Sequence, residues 1–199
     1  EGADVLSQEL SVQELERLIG DLSGFKPNIT LFGGEPLLYP GCLDLIRYIK
    51  KQGMHCVMIT NGSLLEQAAS EIVDSGLDEL NVSLDGGQKL HDEIRGTPGL
   101  FDRIIRGLEK VQRYKKEKRL KQPLINLQCT ITKYNYTHLE QMAEVAAAIR
   151  ADSLTFHNLI FVSRDMLERQ KPIEDALGCS SRDWEGFMFE PGIDPQALD

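Results

Sequence analysis

Five short apolar segments, separated by helical patterns, constrain this chain more than any other feature. They are "NITLFGG" (28–34), "HCVMITNG" (55–62), "ELNVSLDG" (79–86), "PLINLQCTIT" (123–132) and "SLTFHNLIFV" (153–162). Each reads as a strand, and Gly, Pro, Asn or Asp bound most of them. Between them lie helical patterns. "SVQELERLIGDL" (11–22) opens with a capping box of Ser11 and Glu14 and places Val12, Leu15, Leu18 and Ile19 on one face. "GCLDLIRYIKKQG" (41–53) has helical spacing and stops at a glycine. Ser63 with Glu66 and Thr137 with Glu140 predict two more capping boxes, for helices ending near Ser75 and Arg150. A polar connection leads into a fourth pattern, from about Phe101 to Lys118. Strand and helix in alternation, with buried-looking strands, predict a parallel α/β sheet or barrel. Past Val162 the pattern dissolves, and "WEGFMFEPG" (184–192) belongs to a tail that reads as loop.

Charge limits the partners. With 22 basic and 31 acidic side chains the net charge is −9, a field that repels nucleic acid and anionic membrane. The one basic cluster, "RYKKEKRLK" (113–121), follows a helical pattern and reads as a helix end in solvent. No apolar run approaches the roughly 18 residues of a membrane span, and no signal peptide is visible. Cys42, Cys56, Cys129 and Cys179 form no CxxC pair. They read as reduced thiols of a cytoplasmic protein.

In a parallel α/β architecture the ligand site gathers beyond the carboxyl ends of the strands. Those ends read "GGEP", "TNG", "SLDG", "TITKYN" and "FHN". Gly33 and Gly34 allow close approach to the backbone. Glu35 would repel phosphate and Pro36 has no N–H to offer, so the stretch suits an ammonium held by strand-end carbonyls and backed by a carboxylate. A plain strand-to-helix turn is the competing reading. Ser83 and Asp85 flank Leu84, which points both to one side and suits sugar hydroxyls, although Asp85-Gly86 is also an ordinary turn. Arg95 is a fixed cation suited to a carboxylate. His91 with Asp92 reads as an acid/base pair or as an exposed helix start. Asn61-Gly62 reads as a turn, and His157 as a core histidine or a ligand contact. Together the rim offers groups for the polar ends of an amino acid joined to a nucleoside.

The ordered segments "LFGGEPLLYP", "MITNGSLL", "LNVSLDGGQKLHDEIRGTPGLFDRIIRGL" and "CTITKYNYTHLEQM" resemble radical S-adenosylmethionine (radical SAM) enzymes over roughly residues 8 to 160. The branch they resemble most carries auxiliary iron–sulfur clusters in a C-terminal (SPASM-like) extension and often acts on peptides or proteins. The resemblance implies a partial barrel of six parallel strands, (β/α)6, and S-adenosylmethionine and a [4Fe–4S] cluster as cofactors. It implies that the backbone of Gly33, Gly34 and Glu35 holds the methionine ammonium and that Ser83 and Arg95 hold its carboxylate. Asp85 would contact the ribose, Thr60 and Asn61 would line the floor, and Ile131 with the backbone around His157 would sandwich adenine. In the family one electron from the cluster cleaves the sulfonium to a 5′-deoxyadenosyl radical that abstracts a substrate hydrogen, and a flavodoxin or ferredoxin supplies the electron.

The family's CxxxCxxC motif, whose thiolates bind the cluster, has no counterpart in these 199 residues. In the family it precedes the helix that begins here at Ser11. The chain starts with Glu1 rather than Met and shows five strands rather than six. The expectation is therefore a core (1–162) that lacks the first strand and the cluster loop, followed by a loop-rich tail (163–199) leading toward an extension. Alone it is expected to be inactive, with the cluster ligands upstream of Glu1. Cys179 is a candidate auxiliary-cluster ligand. The rival readings are a cluster-free degenerate barrel serving as a binding or scaffold module, and a barrel lyase or isomerase using Glu35, Asp85 and His157 as acid/base groups.

Overall fold

A computed structural model describes residues 9–159, 162–178 and 192. The five apolar segments become five strands: β1 (Ile29–Leu31), β2 (Cys56–Thr60), β3 (Glu79–Ser83), β4 (Leu124–Ile131) and β5 (Ser153–Asn158). They form one sheet in the order β1-β2-β3-β4-β5, and every neighbouring pair is parallel. A doubly wound sheet reverses its order at a switch point, whereas a barrel adds each strand beside the last. The order without reversal settles the choice between open sheet and barrel in favour of a partial barrel.

Seven helices are described: α1 (Val12–Leu22), α2 (Cys42–Lys51), α3 (Leu65–Asp74), α4 (Gln88–Arg95), α5 (Leu100–Glu117), α6 (Glu140–Ile149) and α7 (Arg164–Leu177). Helices α1, α2, α3, α5 and α6 pack on one face of the sheet, where Met58, Leu80, Val82, Ile125, Leu127 and Cys129 are fully buried and pack with helix residues such as Ile72, Ile104 and Leu108. Alternation puts the other side chains of each strand on the opposite, open face. Asn126 there donates to Asn81 Oδ1 at 2.9 Å and to Glu79 Oε2 at 3.0 Å, and Ser153 Oγ donates to Asn126 Oδ1 at 2.7 Å. Strands β3 and β4 are thus buried on one face and polar on the other, not buried throughout, while β2 carries the half-buried Val57 and Ile59 on its second face. Helices α3 and α5 approach so closely that a Cβ on Gly107 would stand 2.6 Å from Leu65 Cβ and 2.8 Å from the Glu66 nitrogen.

Local signals held where no tertiary partner competed. The Ser11–Glu14 capping box forms, with Glu14 N–H on Ser11 Oγ at 3.3 Å and Ser11 N–H on Glu14 Oε2 at 2.8 Å. The other two boxes do not form, and neither α3 nor α6 has a side-chain cap. Glu66 is drawn instead to Arg106 (3.0 Å) and Lys110 (3.3 Å) of α5, and Ser63 N–H donates to Asn61 Oδ1 at 2.9 Å. Before α6, Asn135 Oδ1 takes the Thr132 N–H at 2.7 Å and organises the turn in place of Thr137.

Two helices fall where the sequence reads as connection. Helix α4 lies in the polar stretch before Phe101 and ends at Gly96 in the left-handed region (φ 61°). Helix α7 lies in the tail read as loop, capped by Ser163 Oγ on the Met166 N–H at 3.2 Å, with Pro172 inside it. Cys179 and all but the last residue of "WEGFMFEPG" lie outside the described residues. The basic cluster also departs from a wholly solvated end. Lys115 is buried and pairs with Asp152 at 3.8 Å, and burial pulls its ammonium pKa down.

Candidate functional site

The carboxyl ends of the strands lie on one rim, and the parallel register aligns them. Thr60 pairs with Val82, Ser83 with Gln128, Thr130 with His157 and Ile131 with Asn158. Gly33, Gly34, Thr60, Asn61, Ser83, Asp85, Ile131 and His157 are therefore brought to the same edge, and Arg95 reaches it from α4.

After β1 the chain turns through Gly33, whose φ of 152° favours glycine, and a Cβ on either glycine would meet nothing within 4 Å. The Gly33 and Gly34 carbonyls accept no hydrogen bond from the described residues outside regular elements. They are open to a donor, as the ammonium reading requires. The Glu35 side chain is not. Its Oε1 accepts from Thr60 Oγ1 at 2.7 Å and Leu37 N–H at 3.2 Å, and its Oε2 accepts from Asn61 N–H at 2.8 Å. The carboxylate expected to back a cation instead ties the end of β1 to the end of β2. Thr60 Oγ1 in turn accepts the Gly62 N–H at 3.0 Å, so Asn61-Gly62 is the turn the sequence suggests, anchored from across the sheet. A cleft of about 700 Å³ beside β1, lined by Gly33, Gly34, Tyr39 and Cys42 among others, opens at the outer edge of this corner.

After β3 the expected pair of Ser83 and Asp85 separates. Ser83 is half-buried and makes no side-chain hydrogen bond among the described residues, whereas Asp85 is only 3% exposed. Asp85 Oδ2 accepts from Arg95 Nε at 2.7 Å and forms an ion pair with Nη2 at the same distance, and Oδ1 accepts the Thr130 N–H at 3.1 Å. Its carbonyl takes Asn135 Nδ2 at 2.9 Å and its N–H donates to His91 Nδ1 at 3.1 Å. His91 and Asp92 are neither an acid/base pair nor an exposed helix start. His91 is fully buried, and burial lowers its pKa against the raising field of Asp85. Asp92 caps the start of α5 by accepting from Gly99 and Phe101 N–H at 2.5 and 2.8 Å. His157 is exposed on β5 and is not a core histidine.

The sequence reading missed His91 and Asn135 as the partners of Asp85. Their signal was a polar residue inside an otherwise apolar face, Leu90 and Ile94 flanking His91, and an Asn four residues past the end of β4.

The model of the radical SAM superfamily matches residues 2–155, more than half of the chain. The chain belongs to the radical SAM superfamily. Among its sequence relatives is the Fe-coproporphyrin III synthase of Methanosarcina barkeri, 33% identical over 158 residues, which are 78% of this chain and 38% of that protein. The AdoMet-dependent heme synthase of Oleidesulfovibrio alaskensis is 39% identical over 104 residues, 51% of this chain and 27% of that protein. The fold matches SuiB of Streptococcus suis bound to S-adenosylmethionine with a TM-score of 0.63 at 18% identity, over 86% of this chain and 40% of that one. The chain thus spans well under half the length of these relatives.

Radical SAM membership implies S-adenosylmethionine and a [4Fe–4S] cluster as cofactors. The rim fits the first. The described residues do not fit the second, because no three His, Cys, Asp or Glu among them converge as a metal site. Cys42, Cys56 and Cys129 are buried, and Cys42 Sγ rests on Met58 Sδ at 3.9 Å. Burial, then the Glu35 charge, pushes the Cys42 thiol up to about 11. Burial with the Asp78 and Asp85 charges pushes Cys56 and Cys129 to about 12. Cluster binding needs thiolates, and these three are core hydrophobes.

Proposed function

We propose that this chain is the cofactor-binding part of a radical SAM enzyme and that its rim holds S-adenosylmethionine for reductive cleavage to a 5′-deoxyadenosyl radical, which abstracts a substrate hydrogen. The observation that carries the reading is the bare pair of Gly33 and Gly34 carbonyls on the same rim as an Arg95 guanidinium with one edge pinned and the other unbonded by described residues. The carbonyls suit an ammonium and the guanidinium a carboxylate. Ser83 would add a hydroxyl donor to the carboxylate. Thr60 and Asn61 would form the floor, and Ile131 with the backbone near His157 would enclose adenine. The chemistry itself is the cofactor's, while the protein binds, orients and shields.

A [4Fe–4S] cluster held by ligands outside the described residues would supply the electron, and a flavodoxin or ferredoxin would reduce that cluster. The division at residue 162, a C-terminal extension with auxiliary clusters and a cytoplasmic location complete this reading. For the substrate, a porphyrin-type compound takes precedence over a peptide. The relatives named as heme or Fe-coproporphyrin III synthases share 33–39% identity with this chain, against 16% for SuiB with its precursor peptide.

The test is equilibrium binding of S-adenosylmethionine to the 199-residue chain, followed by product analysis under reducing anaerobic conditions. Binding without 5′-deoxyadenosine is expected. Absence of binding would overturn the reading, and 5′-deoxyadenosine from this chain alone would overturn the statement that Cys42, Cys56 and Cys129 hold no cluster.

A further inference from the structure

Asp85 is the most completely engaged polar residue on the rim. Main-chain N–H, main-chain carbonyl and both carboxylate oxygens each have a partner, from α4, β4 and the loop before α6. With 3% of its surface exposed, it has no free edge to offer a sugar hydroxyl. Arg95 is the opposite case. Asp85 takes the Nε and Nη2 edge of the guanidinium, and the side chain is still 34% exposed. A planar fork gripped on one edge can present its Nη1 end to a second carboxylate in a fixed direction.

His91 and Arg95 stand one turn apart on the same face of α4. They grip the same residue at two points, the ring on its N–H and the guanidinium on its carboxylate. To accept at Nδ1 the ring carries its proton on Nε2, and that buried N–H has no partner among the described residues. An unpaired buried donor is costly. The arrangement keeps Asp85 in place at the expense of the ring's own satisfaction.

We infer that Asp85 and His91 are positioning residues that act on the cofactor's carboxylate only through Arg95, and that Asp85 does not contact ribose. This rests on the proposal that the rim holds S-adenosylmethionine. It differs from the ribose role that the family resemblance carries to Asp85.

The test uses the 199-residue chain with three probes: S-adenosylmethionine, its decarboxylated form, and 5′-methylthioadenosine, which keeps the nucleoside and lacks the amino-acid end. The unaltered chain is expected to prefer S-adenosylmethionine over the decarboxylated form by about tenfold or more, the size of a charge-assisted hydrogen bond. Asp85→Asn should cut that preference to under about threefold and leave 5′-methylthioadenosine affinity within about twofold. His91→Phe fills the ring space without the acceptor, and should lower the preference in the same direction. A merely structural role would not move the ratio between ligands. Equal weakening of all three probes by Asp85→Asn, with the preference kept, would establish a ribose contact and overturn the inference. If Asp85→Asn does not fold, an unchanged preference in folded His91→Phe overturns it. An unaltered chain that binds S-adenosylmethionine but does not discriminate against the decarboxylated form overturns the inference and leaves the cofactor reading standing. Failure to bind any probe removes both.

Discussion

The two faces of the sheet are made from the same five strands and have opposite characters. On the helix side Met58, Leu80, Val82, Ile125, Leu127 and Cys129 are sealed. One residue along, Glu79, Asn81, Asn126 and Ser153 form a hydrogen-bonded ladder, and Gln128, Thr155 and His157 stand half-buried or exposed. Strands of all-parallel sheets are commonly apolar on both faces because helices cover both. Here the helices cover one, and the alternation within β3 and β4 records it. The helix face holds the fold together, and the other face and its rim are left uncovered by the described helices.

That division can be broken in several ways. Leu80→Ala should cost about 2–5 kcal/mol of stability by emptying a sealed site, read from urea unfolding, whereas Gln128→Ala should stay within about 0.5 kcal/mol. Equal costs would mean that the open face is also core. Gly107→Ala should cost about 1–3 kcal/mol because the new methyl meets Leu65 and the Glu66 backbone; a neutral result would show that α3 and α5 can slide apart.

A smaller effect is a pH dependence. His91 has a lowered pKa when folded, so between the unfolded value of about 6.5 and the lower folded one the unfolded chain binds the proton first. Stability should therefore fall as pH drops through that window and level off below it. The His91→Phe variant should lack this slope, and an identical slope in both proteins would remove His91 as its source. Smallest in energy, yet sharpest in contrast, is thiol reactivity. At pH 8 the native chain should leave Cys42, Cys56 and Cys129 unmodified by iodoacetamide, and unfolding should expose all three. Fast labelling of any of them would place that thiol outside the sealed face.

The five strands, their parallel arrangement and the polar rim at their carboxyl ends were legible because each depends on short-range pattern: apolar runs, and glycine or polar residues directly after them. What escaped depends on distance along the chain. Ser11 and Glu14 capped α1 as their spacing predicts, but Glu66 met Arg106 and Lys110 forty or more residues away and abandoned the same motif. The role of Glu35 is settled by Thr60 and Asn61, 25 and 26 positions on, and that of Asp85 partly by Thr130 and Asn135. Helix α4 was hidden because a buried His sits where an aliphatic residue would have completed the apolar stripe. Helix α7 was hidden by Pro172 and a run of charges. The identities of the rim residues could be read in the sequence, but which of them face a ligand could not.

The Glu35 carboxylate, with two donors from the end of β2 and one from the turn that follows β1, has a consequence for the thermodynamics of ligand capture. Loops tied together in this way have little conformational entropy left to lose when something lands on them. A ligand should find the glycine carbonyls already aimed, so its affinity is not discounted by the ordering of the corner that receives it. The heat-capacity change of binding should then follow the apolar surface the ligand itself buries, with no added contribution from folding of the rim.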